Sequence, residues 1–446
     1  MDSRDKEFIE SLQELIRIKS VKYDGADSYE PAPGRPFGKG IADALEYTLS
    51  LCGSLGMRVK NCDGYAGYAE IGEGDEMLGI LMHLDVVPEG LGWDYPPYGG
   101  EIHDRKLYGR GAVDDKGPAM AVIYAVKELM DEGYQFGKRV RLIFGCDEEN
   151  DWECMDHYVA SEECPDFGFT PDADFPLIYG EMGILQADLV LRLNGGNRLF
   201  MEGGEAVNAV PDYCKVWISS EDEAAGAGED AGSEIVHEFG IAAHASTPQE
   251  GDNAITKAMK KLAETPEGET AASPEVLDFI RFYNEKIGSH LHGEGLGCDF
   301  ADEQSGRLTF NAGRLRADAD ALRLGIDVRC PVTIPGEEVI ELIRESAGEY
   351  GLEMENIDFM KPVYSSLDSE FIKTLLEVYQ EKTGDQSEPL TMGGGTYARA
   401  MDNIVAFGPL FPGREATEHM KNEYILTDDL LAIRAIYKEA ILRLAK

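Results

Sequence analysis

The chain has 446 residues with 84 Asp plus Glu against 41 Lys plus Arg, a formal net charge of −43. That balance repels phosphate backbones and anionic lipid, which argues against a nucleic-acid-binding or membrane-surface role. The 43% hydrophobic content suits a globular protein of two or three domains, and no apolar run approaches the roughly 20 residues that a membrane span requires.

Residues 6–18 (KEFIESLQELIRI) and 40–53 (GIADALEYTLSLCG) place apolar side chains at helical spacing and are predicted as amphipathic helices, with a Gly- and Pro-rich loop between them. The first twenty residues show no basic stretch followed by an apolar one, so the expected location is the cytoplasm. YAGYAEIG, MLGILMHLDVV and RKLYGRGAV then read as strands, PAMAVIYAVKELMDEG as a long buried helix and RVRLIFGCDEE as a further strand. Strands alternating with helices imply an α/β layered domain.

After about residue 183 the pattern changes. ILQADLVLRL, DYCKVWISS, SEIVHEFGIAAH and RLTFNAGRLRADADALRLGIDVRCPV alternate as antiparallel strands, with helices in NAITKAMKKLAE and SPEVLDFIRFYNEKIG. This is an α+β insertion. The acidic, low-complexity stretch 221–234 reads as a solvated loop. Helices resume in SSLDSEFIKTLLEVYQEKTGD and DDLLAIRAIYKEAILRLAK. The expected organisation is a first domain from 1–183 completed by 364–446, interrupted by an inserted second domain at 184–363.

Eight cysteines (52, 62, 146, 154, 164, 214, 298 and 330) lack a close C-x-x-C pair, which argues for reduced thiols. Cys146 reads as a small apolar residue at a strand end. His83 and Asp85 close the strand ILMHLDVV with side chains on one face, at the edge where open α/β sheets place their sites. Asp85 is near enough to fix the tautomer of His83. In GRGAVDDKGPAM, Asp114 and Asp115 precede a helix, where they either cap it or supply a carboxylate that bridges two cations.

The strand RVRLIFGCDEENDW ends in Asp147, Glu148 and Glu149, three successive anions that repel one another unless cations or solvent compensate. If the chain stays extended there, neighbouring side chains point opposite ways. One glutamate can then bind metal while the other takes a proton from activated water and returns it to a leaving amine. FTPDADFP adds Asp172 and Asp174, and FPGREATEHMKNEY adds His419.

HLDVVPEGLGW, GRGAVDDKGP, the DEEN segment, TPDADFP, GGEAVNAVPD, AHASTPQEGDNA, GGGTYAR and EHMKNE follow one another in the order of a known family. Over essentially its full length the chain resembles the M20 metallopeptidases, most closely the PepV-type dipeptidases of bacteria. The resemblance implies a zinc-peptidase-like catalytic domain with a central mixed sheet flanked by helices, plus an inserted α+β lid. It further implies two divalent metal ions, zinc foremost and manganese as the alternative. Asp114 would bridge them, His83 and Asp172 completing one site and Glu149 and His419 the other. Glu148 would be the general base and acid, with Asp85 orienting His83 and a cis peptide bond joining Asp114 to Asp115. His244 would stabilise the oxyanion, Asn208 and Arg329 would bind substrate, and Arg399 would clamp its carboxylate. His290 and His292 have no part in that pattern and read as surface, and Met420 stands where relatives often carry Gln.

The expected activity is hydrolysis of short peptides, dipeptides above all, by a monomer that binds neither nucleic acid nor membrane. A deacylase of N-acyl amino acids keeps the same chemistry with another substrate, and a peptide- or metal-binding protein without turnover would have no use for Glu148.

Overall fold

The computed structural model describes residues 3–23, 25, 30–195, 197–219 and 233–446. Most of the acidic stretch predicted as a loop, 221–232, lies outside the described residues, while Ser233 and Glu234 open a strand, Ser233–Phe239. The chain forms two compact units: one of residues 1–179, 365–390 and 395–446, the other of 180–364 and 391–394.

The first unit is α/β, with a central sheet whose spatial strand order departs from sequence order. Helices α1 (Ser3–Ile16) and α2 (Lys39–Ser54) are followed by β1 (Arg58–Cys62), β2 (Ala66–Ile71) and β3 (Met77–His83). A small antiparallel pair, β4 (Glu101–His103) and β5 (Lys106–Tyr108), precedes α3 (Lys116–Asp131), and β6 (Arg139–Gly145), α4 (Glu153–Ser161) and β7 (Phe167–Thr170) follow. The central sheet runs β1-β2-β6-β3-β7, then Ile404–Ala406, then Ile178–Glu181. It is mixed: β3 is parallel to β6 and β7, and Ile404–Ala406 is parallel to β7, while β1, β2 and β6 pair antiparallel. β3 is buried on both faces, as befits a central strand whose sequence MLGILMH does not alternate. The apolar faces of α1, α3 and the C-terminal helix Thr427–Leu444 belong to the same core, with Phe8, Leu12, Ile123, Ile436 and Tyr437 among its buried members.

The second unit is built on a seven-stranded antiparallel sheet ordered Ser233–Phe239, Tyr213–Ile218, Leu199–Gly203, Thr309–Ala317, Ala321–Cys330, Gly183–Arg192 and Glu353–Met360. Two of its helices begin at polar caps: Asn253 accepts from the Thr256 amide and Ser273 from the Val276 amide. The helix predicted across 273–288 is α-helical to Phe282 and continues as a π-helical turn, Tyr283–Ile287. The strand predicted across RKLYGRGAV is only Lys106–Tyr108; beyond it two glycines and the buried Arg110 form a turn, not a ladder. Among the described residues no helix is long and apolar enough to cross a membrane.

Candidate metal centre

The site grows from sheet register. His83 pairs with Gly145 at the ends of parallel strands β3 and β6, so the segments that leave those strands run side by side. Gly145 is required there, because a Cβ would lie 2.2 Å from Tyr397 Oη. The Tyr397 ring in turn meets His83 edge-on, at 6.2 Å between centroids.

After Gly145 the chain turns, and Glu148 and Glu149 lie in that turn instead of extending the strand. Strand alternation therefore does not orient their side chains. Asp85 holds the turn: its Oδ1 accepts from the Glu148 amide and its Oδ2 from the Glu149 amide, both at 3.1 Å. The tautomer role expected of Asp85 falls to its backbone, whose carbonyl lies 2.9 Å from His83 Nδ1, against 3.6 Å for its carboxylate.

Asp114 and Asp115 lie at the start of α3, joined by a cis peptide bond. Capping does not explain them, since Asp115 occupies the cap position without a side-chain cap bond. Its Oδ2 instead accepts from the His83 amide at 3.2 Å. Asp114 faces two histidines, with Oδ1 2.9 Å from His83 Nε2 and Oδ2 3.1 Å from His419 Nε2. Asp172 Oδ2 lies 3.7 Å from His83 Nε2, and Glu149 Oε2 lies 3.0 Å from His419 Nε2. Two groups able to hold an ion result, His83–Asp114–Asp172 and Asp114–Glu149–His419, each with its donor atoms within 4.8 Å of one another. Asp114 belongs to both.

Electrostatics set the terms of occupancy. Burial opposes charge on His83, yet Asp114, Asp85 and Asp172 outweigh it and hold the imidazolium well above its ordinary range. His419, with its side chain 56% exposed, is raised to about 11 by direct contact with Asp114 and then Glu149. Burial, then the charge of Asp172, with Glu149 and Asp114 adding to it, pushes Glu148 well above the carboxylate range. Glu149 rises through burial and Asp114. Protons thus compensate a cluster of anions, the circumstance in which divalent cations compete well. The donor set of imidazole and carboxylate fits such ions, and Glu149 Oε1 is buried with no hydrogen-bond partner.

In the second unit, Asn208 and His244 lie on adjoining segments: the Ala245 amide donates to the Asn208 carbonyl, and Ala209 bridges His244. His244 Nδ1 is 2.7 Å from Ser246 Oγ, and burial followed by the charge of Arg329 lowers its pKa. Arg329 is 3% exposed; its Nε and Nη2 donate to Asp327 and its Nη1 to the Gly393 carbonyl. Arg399 ends a short 3₁₀ turn, Tyr397–Arg399, in the first unit. His290 and His292 each turn Nδ1 to a backbone carbonyl, of Lys286 and Leu308, and belong to neither group. Cys146 is fully buried, its thiol pushed up by burial.

Sequence reasoning missed Glu423, Arg110 and Asp327. Each is buried and charged, and the available signal was proximity: Glu423 is four positions beyond His419, and Asp327 two before Arg329.

The profile of Peptidase family M20/M25/M40 matches residues 79–443. A Bacillus subtilis (strain 168) protein named "Putative dipeptidase YtjP" is 39% identical over 466 residues, covering 99% of this chain and 98% of that one. Human carnosine dipeptidase 1 superposes with a TM-score of 0.61 at 14% identity, covering 99% of this chain and 96% of its own. The dipeptidase Dug1p of Saccharomyces cerevisiae also gives 0.61 at 14%, covering 99% and 97%. The structural likenesses carry the fold and the sequence matches carry the kinship: the chain belongs to peptidase family M20/M25/M40.

Proposed function

We propose that the chain is a two-metal dipeptidase that hydrolyses the peptide bond of free dipeptides. The observation that supports it most is Asp114, whose two oxygens face His83 and His419 separately, at 2.9 and 3.1 Å. His83, Asp114 and Asp172 would hold one divalent cation and Asp114, Glu149 and His419 the other, zinc foremost with manganese as the alternative, and the pair would supply Lewis acidity when bound.

Glu148 takes the proton of the attacking water and returns it to the leaving amine. A base serves best when its pKa lies near the working pH, and its neighbours raise this carboxyl in that direction. His244 stabilises the oxyanion; with Nδ1 engaged by Ser246, Nε2 is the nitrogen left for substrate. Arg329, oriented by the Asp327 fork, and Asn208 bind the peptide, and Arg399 clamps its carboxylate. The enzyme works as a monomer in the cytoplasm, a reducing compartment consistent with eight free cysteines.

The test strips the protein of metal, restores Zn²⁺ or Mn²⁺, and compares free dipeptides with N-acyl amino acids. Dipeptides are expected to be cleaved faster. Preference for the acylated compounds overturns the substrate assignment, and inactivity toward both with either metal overturns the hydrolase reading.

A further inference from the structure

Asp114 and His419 come from opposite ends of the chain, and the structure contains a specific tie between their segments. The strand Tyr424–Leu426 pairs antiparallel with β5, Tyr424 opposite Tyr108. This register brings Glu423 to the turn that leads into Asp114, and the Gly109 amide donates to the Glu423 carbonyl at 3.0 Å. The Glu423 side chain, 0% exposed, gathers the rest of that turn. Its Oε1 accepts from the amides of Val113 (3.0 Å) and Asp114 (3.3 Å). Its Oε2 accepts from the Gly111 amide (3.1 Å) and from Arg110 Nη1 (2.7 Å). Arg110 is itself 1% exposed, with its guanidinium 5.5 Å from the Trp93 ring centroid.

We propose that Glu423 is a positioning residue for the metal centre, holding the Asp114 turn in register with the His419 segment so that Asp114, Glu149 and His419 form one ligand set. The proposal rests on the reading of Asp114 and His419 as ligands. It also predicts asymmetry between the two groups. His83 is anchored elsewhere, through the Asp85 carbonyl and the Asp115 carboxylate, so its group depends less on Glu423. An acceptor that orients ligands commonly contributes a factor of about 10 to 100 in metal affinity.

Mn²⁺ titrated calorimetrically into the metal-stripped full chain reads both sites. For Glu423→Gln, one site should weaken about 10- to 100-fold while the other keeps most of its affinity. Because this variant leaves Arg110 buried without its counter-charge, the pair Arg110→Met with Glu423→Gln is measured beside it, with thermal unfolding of each. Wild-type affinity at both sites in a folded variant overturns the proposal. So does an equal loss at both sites, or failure of both variants to fold, since Glu423 would then hold the fold and not one half of the centre. If the parent chain itself binds fewer than two Mn²⁺, the ligand reading fails instead, a result separable from the others.

Discussion

Replacing Glu148 with Gln isolates proton transfer from everything else the site does. The two side chains have the same length, and the backbone at 148 stays anchored: its amide is held by Asp85 Oδ1 at 3.1 Å and its carbonyl accepts from Trp152 Nε1 at 2.6 Å. The donors of both ion-binding groups lie on other residues, so metal content should not change. What disappears is a basic oxygen whose carboxyl is pushed upward by burial and then by Asp172, Glu149 and Asp114. General acid–base groups contribute about 10²- to 10⁴-fold, so kcat should fall by that factor, or about 3–5 kcal/mol at the barrier, with KM little altered. The assay is steady-state dipeptide hydrolysis at saturating Zn²⁺ or Mn²⁺, with bound metal measured on the same samples. A variant within about threefold of the parent at equal metal content would remove Glu148 from the mechanism.

The same charges predict what metal loading does to protons. His83 and His419 are held in their protonated forms by Asp114 and its neighbours, so loading the stripped protein near neutral pH should release about two protons, read by calorimetry in buffers of different ionisation enthalpy; no release would contradict the ligand assignment. Since the folded pKa of His419, about 11, exceeds its unfolded value, the stabilisation it gives the metal-free protein is complete below the ordinary histidine range and lost as pH rises toward that value. Urea unfolding of stripped parent and His419→Gln should therefore differ in slope against pH, modestly because the ring is half in water. In the core, Ile80→Ala in β3, at a 0% exposed position, should cost about 2–5 kcal/mol in denaturant unfolding.

Order in the sequence revealed more than local pattern did. β3, α3 and the C-terminal helix were legible because their apolar residues are continuous or helically spaced over a full element. The edge strand Glu353–Met360 was not, since acidic residues interrupt it and it buries no side chain fully, which leaves it without a continuous apolar face. At the site, the residue types at 83, 114, 149, 172 and 419 were visible, and the structure brings them together. How they are held was not visible. The work of Asp85 on two amides and of Glu423 on a turn depends on pairings between distant segments, which local spacing does not encode.

The three anions Asp147, Glu148 and Glu149 show why proximity of carboxylates alone does not define a metal site. Asp147, with Asp151 and Glu153, forms a third acidic group of ligand-like spacing. There, however, Lys22 Nζ lies 2.8 Å from carboxylate oxygens of both Asp147 and Asp151, and the Glu153 amide donates to Asp147. Those contacts raise the pKa of Lys22 despite burial, so the ammonium holds its proton and competes with any cation. At the other two groups the positive charge comes from imidazoles, which exchange a proton for a metal at modest cost. One run of adjacent acids is thus divided by its partners: the member facing lysine becomes an ion pair within the fold, and the member facing His419 remains available to a divalent ion.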